Sequence, residues 1–135
     1  MSSLSGGCLC GAVRYRANVA PLRVSLCHCR MCQRNTGSAF GPYATFRTED
    51  LVWEKSAPKQ FRSSRVARRG FCSECGSPLT FQFDRAPERL SVTLGSLDRP
   101  EAVSPALALW TADMLPWAAH VAALPARPRA EDVDF

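Results

Sequence analysis

Apolar and polar positions along this chain alternate in short runs, and sustained helical periodicity is rare. Residues 12–17 place Val13 and Tyr15 on one face and Arg14 and Arg16 on the other, the two-residue period of a half-buried strand. Pro21 ends that run. Residues 24–29 read as extended, and 30–35 as one helical turn closed by Thr36-Gly37-Ser38. Short strands are expected over 39–46, 51–54, 59–63, 65–71, 79–83, 90–94 and 106–110. Residues 112–123 carry a helical composition that Pro116 interrupts. Residues 6–11 read as a tight, glycine-flanked turn, and from Pro125 onward the Pro-, Arg- and acid-rich chain reads as a tail.

Ten Pro and eight Gly in 135 residues leave segments too short for many long helices, so the expected class is mainly antiparallel β. The length fits one domain. Apolar residues make up 46% and charged residues 21%, the composition of a globular chain rather than a disordered one. No apolar run has the length of a bilayer span, and residues 1–11 lack the basic and apolar regions of an export signal. A cytoplasmic location without membrane association is the resulting expectation.

The net charge is +5, carried by fifteen Arg and only two Lys. Arg suits bidentate contact with carboxylate or phosphate, although a GC-rich coding bias gives the same excess. The charge permits an anionic ligand without demanding nucleic acid. No aromatic residues interleave with the Arg62–Arg69 run and no recognition motif is present, so nucleic-acid binding ranks last among the readings. That run reads equally as a solvated strand face or as a binding patch.

The seven cysteines change the picture most. All fall in close-spaced groups: Cys8-Leu9-Cys10, Cys27-His28-Cys29-Arg30-Met31-Cys32 and Cys72-Ser73-Glu74-Cys75. An odd count without an export signal argues against a disulfide framework and for metal or redox chemistry. A C-x-x-C turn puts two sulfurs on one side, and a following Gly lets the chain curl past the metal. Phe71-Cys72-Ser73-Glu74-Cys75-Gly76 has that form, and Gly7-Cys8-Leu9-Cys10-Gly11 is a glycine-flanked C-x-C. Cys8, Cys10, Cys72 and Cys75 are therefore read as one closed zinc site that staples the N-terminal segment to the later strands.

Cys27, Cys29 and Cys32 remain. Three thiols leave a fourth tetrahedral position open, as in catalytic zinc sites. A second, labile zinc there would bind and deprotonate an incoming thiol. The alternatives are a metal-free redox group, or His28 completing the shell. On an extended segment the His28 ring points away from its flanking cysteines, so an outer or surface role is favoured. Arg30 and Arg34 flank the group and Arg62, Arg65, Arg68 and Arg69 are candidates to approach it, to offset its charge or bind a ligand's carboxylates. His120, beside Trp117, reads as a packing or surface residue.

Five segments in order resemble one known family. They are residues 7–15 (Gly7-Cys8-Leu9-Cys10-Gly11 onward), 27–40 (Cys27-His28-Cys29 through Thr36-Gly37-Ser38-Ala39-Phe40), 71–79, Gly95-Ser96-Leu97-Asp98 and Leu115-Pro116-Trp117. Together they are similar to the glutathione-dependent formaldehyde-activating enzymes, to which centromere protein V is related. The resemblance covers residues 6–125 and implies one zinc-binding domain over 1–125 with a loose tail over 126–135. It implies a β-tent, coiled antiparallel sheets built around a structural four-cysteine zinc site. It also implies two zinc ions, the structural one on Cys8, Cys10, Cys72 and Cys75 and the reactive one on Cys27, Cys29 and Cys32. The implied activity is that of a carbon–sulfur lyase joining glutathione, or a similar thiol, to formaldehyde or another small aldehyde as an S-hydroxymethyl adduct. Arg30, Arg34 and Ser38 are candidate contacts to the thiol substrate. The family often carries His before the late Trp where this chain has Ala108. A non-catalytic zinc-bearing carrier of the same fold is the competing reading.

Overall fold

The computed structural model describes residues 3–129. Ten strands form two sheets: β1 (Leu4–Gly7), β2 (Arg14–Ala17), β3 (Arg23–Cys27), β4 (Gly41–Arg47), β5 (Leu51–Trp53), β6 (Lys59–Arg62), β7 (Ala67–Phe71), β8 (Pro78–Phe83), β9 (Arg89–Thr93) and β10 (Leu107–Leu109). One α-helix, α1 (Arg30–Thr36), sits between β3 and β4, and five short 3-10 turns complete the described residues. The smaller sheet has the order β1-β2-β5, and the larger has the order β10-β3-β4-β9-β8-β7-β6. Every ladder is antiparallel except β10 on β3, which is parallel. The mainly β expectation therefore holds, with that one parallel edge.

The two-residue period decides where the core lies. Ala44, Phe46, Leu90 and Val92 project from one face of the large sheet, and Leu4, Tyr15, Ala17 and Leu51 meet them from the small sheet. The alternate positions, Ser25 and Cys27 on β3, Tyr43 and Thr45 on β4, Ser91 on β9 and Phe81 on β8, face the opposite way and line a cavity. The large sheet thus separates a packed core from a face that lines a cavity.

Residues 6–11 differ from the expected turn. Gly6 and Gly7 belong to β1, which pairs with β2 and sits at the sheet edge. Glycine carries no hydrophobic signal, so the pattern does not reveal this strand. Gly6 is there for space: a Cβ at this position would lie 2.4 Å from the Tyr15 hydroxyl and 2.5 Å from the Ser96 carbonyl. The Tyr15 hydroxyl and Ser96 Oγ hydrogen-bond at 2.6 Å beneath it. The 112–123 segment forms 3-10 turns over Thr111–Asp113 and Pro116–Ala123 rather than a continuous α-helix, as Pro116 dictates. Of the expected tail over 126–135, residues 126–129 are exposed and the remainder lies outside the described residues. Among the described residues no helix is long and apolar enough to cross a membrane.

Candidate metal centres and cavity

The first cysteine cluster joins the N-terminal segment to the turn between β7 and β8. The Cys8, Cys10, Cys72 and Cys75 sulfurs all lie within 4.8 Å of one another. Cys8 and Cys10 are 3.6 Å apart, and Cys10 and Cys72 are 3.8 Å apart. Tetrahedral bonds of about 2.3 Å place sulfurs roughly 3.8 Å from one another, so the set fits a zinc ion. Each knuckle turns through a glycine with positive φ, Gly11 at 83° and Gly76 at 79°, where a Cβ would be strained. The turns aim backbone N–H groups at sulfur: Val13 N–H donates to Cys8 Sγ at 3.2 Å and Glu74 N–H to Cys72 Sγ at 3.3 Å. The Ser77 hydroxyl, with backbone N–H support, draws the Cys75 thiol down to about 5. Cys8 and Cys72 pack with Val13 and Leu79 in a small apolar cluster of their own.

The second cluster is local. Cys27 ends β3, Cys29 caps α1 and Cys32 lies in its first turn, and their sulfurs are also within 4.8 Å of one another. Cys32 N–H donates to the Cys29 sulfur at 3.3 Å, the N-cap bond of this helix made by a thiol. Gly37 closes the helix in the left-handed conformation, with its N–H on the Gln33 carbonyl at 2.8 Å. Cys32 is 3% exposed, whereas Cys27 and Cys29 are half-buried. Hydrogen bonding from Cys27, then from Arg69, holds the Cys32 thiol well below its ordinary range. Cys27 is pushed up correspondingly, by Cys32 first and by burial second.

Arg69 is the residue that the sequence does not separate from its neighbours. It is 3% exposed, donates from Nη2 to Cys32 Sγ at 3.5 Å and from Nη1 to the Tyr43 hydroxyl at 3.0 Å. Its guanidinium lies 4.8 Å from the centre of the Phe81 ring, a cation–π contact. Alternation along β7 explains the split within the Arg run: Arg69 turns into the cavity, while Arg68 faces solvent and Arg62 pairs with Asp84 at 2.8 Å on the outside. Burial pushes the Tyr43 hydroxyl up, so it keeps its proton.

His28 is not at the surface. It is 3% exposed, stacks edge-on against Phe40 at 5.5 Å, and its backbone N–H donates to the Leu109 carbonyl at 2.9 Å. Its ring is absent from the sulfur cluster, as alternation predicts. Gln33 carries no signal in the sequence either, yet its buried amide donates to the carbonyls of His28 at 2.8 Å and Asp113 at 3.1 Å. It ties the cysteine loop to the C-terminal segment, and Arg30 donates to its amide oxygen.

Both the trio and Arg69 open onto a cavity of about 850 Å³ that also contains Arg30, Tyr43, Phe81 and Trp110. Trp110 is held at φ 54°, the one positive φ among the described non-glycine residues. Arg34 and Ser38 are exposed and do not line this cavity. Ala108 is also exposed and outside the lining, because alternation on β10 sends Leu109 inward instead. His120 lies on the surface.

Comparison with known proteins points the same way as this geometry. The family described as glutathione-dependent formaldehyde-activating enzyme matches residues 3–113. The chain is 30% identical over 83 residues to an uncharacterised lyase of Schizosaccharomyces pombe, covering 62% of this chain and 60% of that protein. It is 30% identical over 105 residues to a protein of Halomonas elongata provisionally named a glutathione-dependent formaldehyde-activating enzyme, covering 70% of this chain and 66% of that one. The matched stretches thus span less than two thirds of either relative. The crystal structure of a Rhodobacter sphaeroides protein superposes with a TM-score of 0.57 at 27% identity, covering 77% of this chain and 98% of that one. The match spans both cysteine clusters and the sheet between them, and the chain belongs to the glutathione-dependent formaldehyde-activating enzyme family.

Proposed function

We propose that this protein is a two-zinc carbon–sulfur lyase that joins a thiol, glutathione or a relative, to formaldehyde or another small aldehyde. The observation that carries the reading is the three-thiol cluster, charge-compensated by a buried Arg and open on one side to a cavity. Cys8, Cys10, Cys72 and Cys75 would hold the structural ion, and Cys27, Cys29 and Cys32 the second one. A zinc ion on three thiolates, when bound, supplies a fourth position at which an incoming thiol loses its proton.

In the overall reaction the thiol S–H adds across the aldehyde C=O. A sulfur–carbon bond forms, the carbonyl π bond breaks, and the proton ends on oxygen; the reverse direction is the lysis. The chain's own residues have three tasks. Arg69 holds the Cys32 sulfur as thiolate and offsets the excess negative charge of a thiolate-rich site. Tyr43 accepts from Arg69 and keeps its proton to donate toward the developing alkoxide. Gln33 and the Trp110 turn hold the rim, so that the cysteine loop and the C-terminal segment keep one geometry.

Native mass spectrometry under reducing conditions tests the reading. Two zinc ions per chain are expected, with a glutathione mass added to the two-zinc species and a faster formaldehyde–glutathione exchange by NMR. One zinc ion that ignores glutathione, with no acceleration, would leave only the staple and hand the lead to the carrier reading.

A further inference from the structure

The cavity continues well beyond the cysteines. Arg23 lies four residues before Cys27 on the same face of β3, about 13 Å away along the strand. Arg89 and Arg85 line the same far end, together with Glu88. Among the described residues, none of the three arginines has a carboxylate within ion-pair distance. Arg89 also sits directly opposite Arg47 in the β4–β9 register, a like-charge pair that costs stability unless something neutralises it.

A wall of alternating cations and rings links the two ends. Arg69 covers Phe81 at 4.8 Å, Phe81 meets Phe83 edge-to-face at 4.8 Å, and Arg85 covers Phe83 at 4.9 Å. A guanidinium resting on a ring keeps its edge donors free for bidentate contact with an oxyanion. Polar hydroxyls floor the middle, where Thr45 and Ser91 bond one another at 2.7 Å.

We infer that the far end of this cavity is an anion subsite, built by Arg23, Arg85 and Arg89, that selects thiols carrying a carboxylate or phosphate remote from the sulfur. The inference rests on the reading that Cys27, Cys29 and Cys32 take the thiol, and it adds which thiols are taken. The sulfur occupies one end, an extended amide-like middle lies along the Phe81–Phe83 wall, and the oxyanion meets the arginines.

Calorimetry on the zinc-loaded full chain tests it with two matched pairs. Glutathione is compared with its diethyl ester, and 4′-phosphopantetheine with pantetheine. In the wild type the anionic member of at least one pair binds roughly tenfold or more tighter than its neutral-ended partner, and added salt narrows the gap. The glutathione pair reports a carboxylate and the pantetheine pair a phosphate. In R23Q/R89Q the preference falls to about one, while affinity for the neutral-ended member, zinc content and circular dichroism stay as in the wild type. Thiols that bind without any anionic preference, or a preference that survives R23Q/R89Q, overturn the subsite and leave the lyase reading intact. No binding by any of the four thiols overturns both.

Discussion

The two cysteine clusters gather the same side chain in opposite ways. Cys8, Cys10, Cys72 and Cys75 come from chain segments far apart, as the 62-residue separation of Cys10 and Cys72 records. Closing so long a loop is entropically costly, and a metal bound there would be coupled to forming the fold. Cys27, Cys29 and Cys32 lie within one strand end and one helical turn, so gathering them costs the chain little and staples nothing together. The first cluster packs on apolar side chains and is ringed by its own N–H donors. The second has one sulfur braced by Arg69 and an open side toward the cavity. On the proposed reading, sequence separation sets which cluster the fold depends on, and the open side sets which is free for chemistry.

The largest expected effect breaks the comparison directly. Cys72→Ser should remove the staple, abolish the cooperative thermal transition and release zinc, whereas Cys29→Ser should keep the fold and lose only thiol-dependent activity. Thermal melts with zinc counts check this; two variants that unfold alike would erase the distinction between the clusters.

Arg69→Met comes next. It removes the charge that braces Cys32 and leaves the Tyr43 oxygen without its donor, at a cost of about 1–3 kcal/mol in urea unfolding. The second zinc should be lost faster than from the wild type while the first is retained, and equal loss of both would detach Arg69 from the reactive cluster.

Tyr43→Phe should lower turnover by roughly tenfold to a hundredfold through the lost donor, with zinc content unchanged and a fall in melting temperature no larger than that of Arg69→Met, since a buried Arg69 donor loses its acceptor. A matched fall in melting temperature and activity would assign Tyr43 to packing instead.

The smallest effect lies away from both clusters. Arg14 forks onto Asp98 at 2.8 and 2.5 Å, and holds that carboxyl below its ordinary range. A depressed carboxylate contributes stability above its unfolded-state pKa and loses it as pH falls toward the folded one. Asp98→Asn should therefore cost at most about 1 kcal/mol at neutral pH, since the pair is partly exposed, and nothing at strongly acidic pH. An undiminished effect in acid would show that the pair does not act through charge.

Much of the fold is legible because alternation and punctuation are local signals. The strands around Tyr15, Tyr43, Phe81 and Val92 and the turn through Gly37 lie where the pattern places them, within a residue or two. The strand through Gly6 is not legible, because glycine marks a turn in sequence even when it serves close packing in space. Expected contacts fare differently by distance. Arg30, in the first turn of α1, reaches the cavity; Arg34, one turn further along the helix, and Ser38, beyond the Gly37 cap, do not.

Read alone, the sequence supplies the candidate ligand types and their division into knuckles and a local trio, because chelate spacing is a property of neighbouring residues. It also determined the strand-rich class, since the two-residue period is written along each segment. Strand pairing, by contrast, is what makes Arg69, and not its neighbours in the same run, the brace on Cys32. The same pairing buries His28 and sets three arginines at the far end of one cavity. Those are contacts between strands distant in the chain, fixed by register and by which face each strand turns inward. A linear pattern names the faces, and pairing alone chooses what each face meets.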